Sequence, residues 1–253
     1  MIGYEPGYSI TAVNRRLLLM EVRQMITERE FFAKFYRFSA EIRGLHWLRA
    51  LLIFGLVATG FYLAKPFLTP SPALEPVNFQ NALVRFWHVV FGFALAFVTI
   101  MRIFLFFFDE HSRRYERDSF RDTFSLTAWK QQLKYYLLLG PYDRQGAYGP
   151  LQHVGYMTLM VLLLLQIMTG MILHAANYQG GLGGVLGTLL GPLTVWLGGL
   201  AGVSNLHYII MWVLIIFVPI HLYMVYWTAH RSPGSCAEPM FSGYSFKKIP
   251  PKS

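Results

Sequence analysis

Cysteine occurs once in the chain, at Cys236. One thiol cannot close an internal disulfide, and it excludes a thiolate iron–sulfur cluster or a cysteine-based zinc site within the chain. Charge is scarce as well: Asp, Glu, Lys and Arg make up 14% of residues, where a soluble domain carries about 25%. None of the 13 acidic residues falls inside the four long apolar blocks. A proton or ion carrier usually needs a carboxylate at membrane depth, so this absence speaks against transport. No nucleotide-binding glycine loop, internal repeat or low-complexity tract is visible. With thiols out, the eight histidines and eleven methionines are the available soft or borderline ligands.

What is abundant is apolar surface, at 55% of 253 residues. It collects in blocks running from about Gly44 to Ala64, Phe86 to Phe108, Val154 to Ala175 and Leu206 to Thr228. Each is about 20 residues, long enough for a membrane-spanning helix. Helices are required because the bilayer core offers no water to backbone groups. The fold class is therefore an all-α membrane protein, a four-helix transmembrane bundle. Gly180 to Gly202 is also apolar, but it holds nine glycines and Pro192. Each glycine costs about 1 kcal/mol in a helix interior, so this stretch reads as an interfacial or re-entrant segment.

The net charge of +9 suits basic cytoplasmic loops better than nucleic acid. Arginines and lysines crowd residues 1–43, the 109–149 connection and the tail, whereas the other two connections hold Lys65 and Arg85. Four spans put all the rich segments on one side, with both termini in the cytoplasm. The organisation expected is an amphipathic helical arm over 1–40 and a four-span domain over 41–230, followed by a tail over 231–253. Inside the domain lie the cytoplasmic 109–149 connection and an outer, Gly-rich 177–204 connection. The arm shows no apolar core of a cleavable signal peptide, and Met20 and Met25 are alternative starts. Trp129, Leu133, Tyr136 and Leu137 share one face of an expected interfacial helix.

Histidine inside a membrane is a functional candidate by default. His207 and His221 are 14 residues apart, about 21 Å along a helix and on broadly one face. One helix thus presents imidazoles at two depths. His88 matches the outer depth and His46 the inner depth, which pairs His88 with His207 and His46 with His221. Each pair brackets a space for one haem with two axial imidazoles. Such ligation leaves no open iron position and suits electron transfer. Gly92, one turn after His88, lets a flat macrocycle approach, and Gly55, Gly60, Gly155 and Gly170 serve that purpose or helix packing. Arg49 and Arg85 sit three residues from His46 and His88. They either meet haem propionates or extend to the interface. Arg102 either meets an inner propionate or pairs with Asp109 or Glu110. Trp47, Trp87, Trp212 and Trp227 read as interfacial belt residues, His111 and His230 as solvated, and His174 as a contact at the outer end of the third span.

Several stretches in order resemble the cytochrome b subunits of membrane-bound [NiFe] uptake hydrogenases, over about residues 41–248. They are Arg43-Gly-Leu-His46-Trp47, Thr59-Gly60-Phe-Tyr, Lys65-Pro66, Val84-Arg85-Phe-Trp-His88 and Met101-Arg102-Ile103. Gly155-Tyr156, Thr169-Gly170, His207-Tyr-Ile-Ile-Met211-Trp212, His221-Leu-Tyr-Met and Gly243-Tyr244-Ser-Phe-Lys complete the set. The resemblance implies two b haems on the four histidines, in a bacterial inner membrane. It also implies a periplasmic hydrogenase large subunit, and a small subunit that lends a C-terminal membrane helix. Electrons would pass from the small subunit's iron–sulfur cluster through both haems to menaquinone or ubiquinone. Related formate dehydrogenase cytochromes share the architecture. A haem-free anchor or proton-path protein is the alternative from another class.

The family often shows Asn-Pro where the third span begins, and here Gly149-Pro150 stands instead. Quinone reduction needs groups that hydrogen-bond its carbonyls and relay protons. Gln152 and His153 follow directly, near the inner haem's depth. They are the candidate quinone-site residues, with helix capping or interfacial solvation as the other roles open to them.

Overall fold

The computed structural model describes residues 31–67, 80–109, 120–137, 139, 149–231 and 238–249. The arm before residue 31, with Met20 and Met25, lies outside them. So do His111 and Arg113, Arg114, Arg117 and Arg144 of the connection, and Cys236 and Lys252 of the tail.

In chain order the elements are β1 (Phe31–Tyr36), α1 (Ala40–Ala64), α2 (Gln80–Phe108), α3 (Leu126–Tyr136), α4 (Pro150–Asn177), α5 (Leu182–Trp196), α6 (Gly199–Arg231), α7 (Glu238–Ser242) and β2 (Tyr244–Ile249). Helices α1, α2, α4 and α6 are each long and apolar enough to cross a membrane. They contain the four expected spans and extend them by several residues, mostly at their starts. The N-terminal boundaries have identifiable causes. Ser39 accepts the Ile42 N–H at 3.4 Å, which caps α1. Pro150 stands in the first turn of α4, where its missing N–H is no loss.

Helix α1 lies along α2, α4 lies along α6, and α2 meets α4. All four spans contribute to one buried cluster: Leu52 from α1, Leu95 and Val98 from α2, Leu163 from α4, and Ile210 and Leu214 from α6. Outside it the bundle is clad in exposed Leu, Ile, Val and Phe side chains, such as Phe54, Phe97, Val161 and Ile216. Such cladding belongs against lipid, where helices associate by close packing and polar contacts.

The Gly-rich segment forms α5, of 15 residues. At 1.5 Å per residue it reaches about 22 Å, short of a hydrocarbon core of about 30 Å. It packs on α4 as a non-spanning helix. Helix α3 turns Leu133 and Leu137 outward, as an interfacial helix does, and buries Gln132 on the other side.

The helical arm expected up to residue 40 is not what residues 31–36 form. They are a strand, antiparallel to β2, with Phe31 opposite Ile249 and Tyr36 opposite Tyr244. The sequence FFAKFY favours this because aromatic side chains suit a pleated surface. Gly243, at φ 87°, makes the turn into β2. Its carbonyl accepts the N–H groups of Arg37 and Phe38. The Trp47 indole donates to the Met240 carbonyl at 3.1 Å, and Arg43 donates to that of Phe241. Trp47 is thus tied to the tail, beyond the belt role expected of it. The tail is fastened over the start of α1, beside His46.

Candidate haem sites and the start of helix α4

The structure brings the four span histidines together two by two. At the end of the bundle expected to be the outer one, His88 of α2 faces His207 of α6, with ring centroids 6.5 Å apart and planes at 68°. At the opposite end, expected to be the inner one, His46 of α1 faces His221 of α6, with centroids 6.3 Å apart and planes at 52°. A metal shared by two imidazoles lies about 2 Å from each ring nitrogen, which puts the ring centroids roughly 6 Å apart. Both separations fit. Among the described residues, no three or more His, Cys, Asp or Glu side chains gather as a metal site. Two protein ligands per site suit iron that already carries a porphyrin's four nitrogens.

Small residues line the outer pair. A Cβ on Gly60 would stand 3.4 Å from His88 Cε1, and one on Gly170 would stand 3.3 Å from His207 Cε1. At Gly92 a Cβ would meet nothing within 4 Å, so that face of α2 is open. Gly155 is similarly open, whereas Gly55 lies against the Phe91 ring. His174 sits apart from the pair, with its ring edge-on to Phe93 at 5.4 Å.

The arginines divide. Arg85 is exposed, as an interfacial cation is. Arg49 and Arg102 are buried, at 8% and 5% exposure. Arg49 donates to the Met160 sulfur at 3.8 Å, a weak acceptor. Its Nε and Nη2 have no partner among the described residues. Arg102 lies over the Tyr156 ring at 5.4 Å, and Arg49 is within electrostatic range of both. A buried guanidinium with idle donors is costly unless an anion meets it, and a propionate is such an anion.

At the start of α4, Gln152 accepts the Gly149 N–H at 3.4 Å. Gln132 reaches over from α3 to accept the Leu151 N–H at 2.9 Å. Gln152 therefore has the capping role, and two glutamines serve one helix terminus. His153 is buried at 2% exposure, with its ring edge-on to Phe120 at 5.0 Å. Interfacial solvation does not describe it.

Two further hydroxyls, which enter the family resemblance but were not among the expected site residues, touch the outer pair. Thr59 Oγ1 is 2.8 Å from His88 Nδ1, and Thr169 Oγ1 is 2.8 Å from His207 Nδ1. Gln166 Nε2 is 3.1 Å from His207 Nε2. The available signal was the dipeptide Thr-Gly, which occurs in both α1 and α4 at the outer depth.

The family profile described as prokaryotic cytochrome b561 matches residues 37–243. The chain belongs to that family. As a prokaryotic cytochrome b561 it is a b-type cytochrome, a haem-carrying electron-transport protein with several membrane-spanning helices. It is 27% identical over 214 residues to the probable Ni/Fe-hydrogenase B-type cytochrome subunit of Rhodobacter capsulatus, covering 83% of this chain and 80% of that one. It is 26% identical over 217 residues to the protein of that name from Cupriavidus necator, covering 83% and 86%. The probable Ni/Fe-hydrogenase 1 B-type cytochrome subunit of Escherichia coli K12 is 26% identical over 223 residues, covering 85% and 92%.

Proposed function

We propose that this cytochrome holds two b haems and carries electrons from a periplasmic [NiFe] hydrogenase to membrane quinone. The observation that supports this best is the pairing of imidazoles at two depths, His88 with His207 and His46 with His221. Haem supplies one-electron exchange when bound. The chain's own side chains do the rest. His88 with His207 and His46 with His221 would each hold one iron, and Gly92 leaves room beside His88. Arg49 and Arg102 neutralise inner propionates, and Arg85 is placed for an outer one at the membrane surface. Two imidazoles on each iron would leave no position open to oxygen.

The relatives' names connect them with Ni/Fe hydrogenase, and the same partnership is proposed here. The partners are the hydrogenase large subunit and a small subunit whose C-terminal helix lies in the bilayer beside this bundle. The setting is the bacterial inner membrane. The basic segments face the cytoplasm, and so do both termini, by the positive-inside bias. Quinone, either menaquinone or ubiquinone, is placed near the start of α4. There the Gln152 amide hydrogen-bonds a quinone carbonyl and the His153 imidazole passes on a proton. Protons would be taken from the cytoplasmic side and released outside by hydrogen oxidation, which charges the membrane.

The test is haem counting on the full chain in purified membranes. Two low-spin b haems per chain are expected. His88→Ala or His207→Ala should remove one, and His46→Ala or His221→Ala the other. A chain that carries no haem would leave the anchor or proton-path reading. Co-purification with a formate dehydrogenase in place of a hydrogenase would keep the bundle and change the partner.

A further inference from the structure

The two outer histidines are held in the same way. Thr59 of α1 touches His88 of α2, and Thr169 of α4 touches His207 of α6, each through Nδ1 at 2.8 Å. Each threonine is followed by the glycine that lies against the same ring, Gly60 or Gly170. Two helix pairs, α1 with α2 and α4 with α6, thus repeat one device.

The proton inventory decides what the device does. A threonine hydroxyl has one hydrogen and two lone pairs. Thr59 Oγ1 is 2.7 Å from the Gly55 carbonyl and 3.2 Å from that of Leu56. Thr169 Oγ1 is 2.8 Å from the Leu165 carbonyl and 3.0 Å from that of Gln166. Two oxygens this close attract only with a hydrogen between them, so each hydroxyl donates back into its own helix. The lone pairs that remain face Nδ1, and the imidazole must donate there. A neutral ring with its hydrogen on Nδ1 carries its lone pair on Nε2. Gln166 gives the same answer for His207 independently. Its amide nitrogen can only donate, and it lies 3.1 Å from Nε2, whose lone pair it would yield to iron when the site is filled.

We infer that Thr59 and Thr169 are the positioning residues of the outer haem site, each accepting the Nδ1–H of one ligand and so presenting its Nε2 to iron. The inference rests on the proposal that His88 and His207 share one haem. A hydrogen bond accepted from Nδ1–H raises the basicity of a ligating imidazole and fixes its rotation. A more basic ligand favours the ferric state, so these hydroxyls hold the outer potential down. The inner pair has no threonine hydroxyl placed in this way among the described contacts. The device therefore separates the two haems chemically.

The experiment uses the full chain in membranes, with redox titration and low-temperature EPR of each b haem. Thr59→Val and Thr169→Val should retain both haems, raise the midpoint potential of the outer one alone, and move its ferric g-values. Thr59→Ser and Thr169→Ser keep the hydroxyl and should match the parent. A valine variant that does not accumulate is replaced by alanine, which removes the same hydroxyl. Unmoved potentials and g-values in the hydroxyl-free variants, or serine variants shifted as far as them, overturn the inference. His207→Ala in the same series separates the two ideas. Loss of one haem there keeps the ligand reading standing whatever the threonines do, and retention of both haems sinks that reading and this one together.

Discussion

The imidazole of His46, near the start of α1, faces that of His221, late in α6, at a centroid separation of 6.3 Å. At this end the tail is strapped to α1 through the Trp47 indole and the Met240 carbonyl. His46→Ala or His221→Ala should therefore cut bound haem from two to one per chain, leaving the outer spectrum in place. Pyridine haemochromogen assay against protein concentration checks the count. His221 also stacks on Phe217, with planes at 16°, so Phe217→Ala should loosen the inner haem without abolishing it.

Gly170 tests how closely α4 must approach the outer ligand. A Cβ there would stand 3.3 Å from His207 Cε1, so the ring must give by a few tenths of an ångström. Gly170→Ala should broaden the outer haem's EPR signal, and Gly170→Val should lose that haem. Gly44→Ala is the control. A Cβ at Gly44 meets nothing within 4 Å, and alanine in a helix is favoured over glycine by about 1 kcal/mol. That variant should match the parent in haem content and be no less stable.

These contacts show which parts of the molecule a sequence can disclose. The four spans were legible because apolar runs of that length have few other solutions. The two-by-two histidine pairing was legible because His207 and His221 share one helix, and helical rise converts spacing into depth. The strand pair was not. Phe31–Tyr36 finds its partner in Tyr244–Ile249, at the far end of the chain, and charge alternation alone read as a helix. The contacts of Thr59 and Thr169 with the histidines were not legible, because an intramembrane threonine ordinarily bonds its own helix. That second role depends on partners 29 and 38 residues away. Gln132 was hidden for the same reason, since its acceptor role is set by α3 docking on α4.

The start of α4 separates capping from quinone chemistry. Gln132→Leu removes a buried acceptor from the Leu151 N–H, and losing a cap typically costs about 1 kcal/mol. It should lower thermal stability while quinone turnover per folded enzyme persists. Gln152→Leu removes a longer cap contact, at 3.4 Å, so its stability loss should be smaller. Haem reduction by hydrogen should survive, and quinone reduction should stop. Unchanged quinone turnover in Gln152→Leu would refute the assigned role.

Gly243 governs the fastening of the tail. Its φ of 87° lies in the left-handed region, where a side chain costs about 1–2 kcal/mol. A Cβ would also stand 2.9 Å from the Phe38 carbonyl. Gly243→Ala should detach β2 from β1 and expose the tail to protease. Limited proteolysis of the membranes should then shorten the chain faster than in the parent, with the outer haem unaffected.

Arg49 is the strictest test of the inner site, because its two possible environments predict opposite signs. Its guanidinium is buried, with Nε and Nη2 lacking partners among the described residues. If nothing anionic met it, Arg49→Leu would remove a desolvated charge and stabilise the bundle. With a propionate beside it, the same change leaves that carboxylate without a partner in low dielectric. The variant should then bind the inner haem less firmly. The potential of that haem should fall as well, since a lost positive charge favours the ferric form. Arg102 stands on the neighbouring helix within electrostatic range, so the single variant should keep part of its inner haem and Arg49→Leu with Arg102→Leu should keep none. Redox titration of the two b haems reads the sign directly, and a rise in melting temperature with an unmoved inner potential would remove the propionate from the argument.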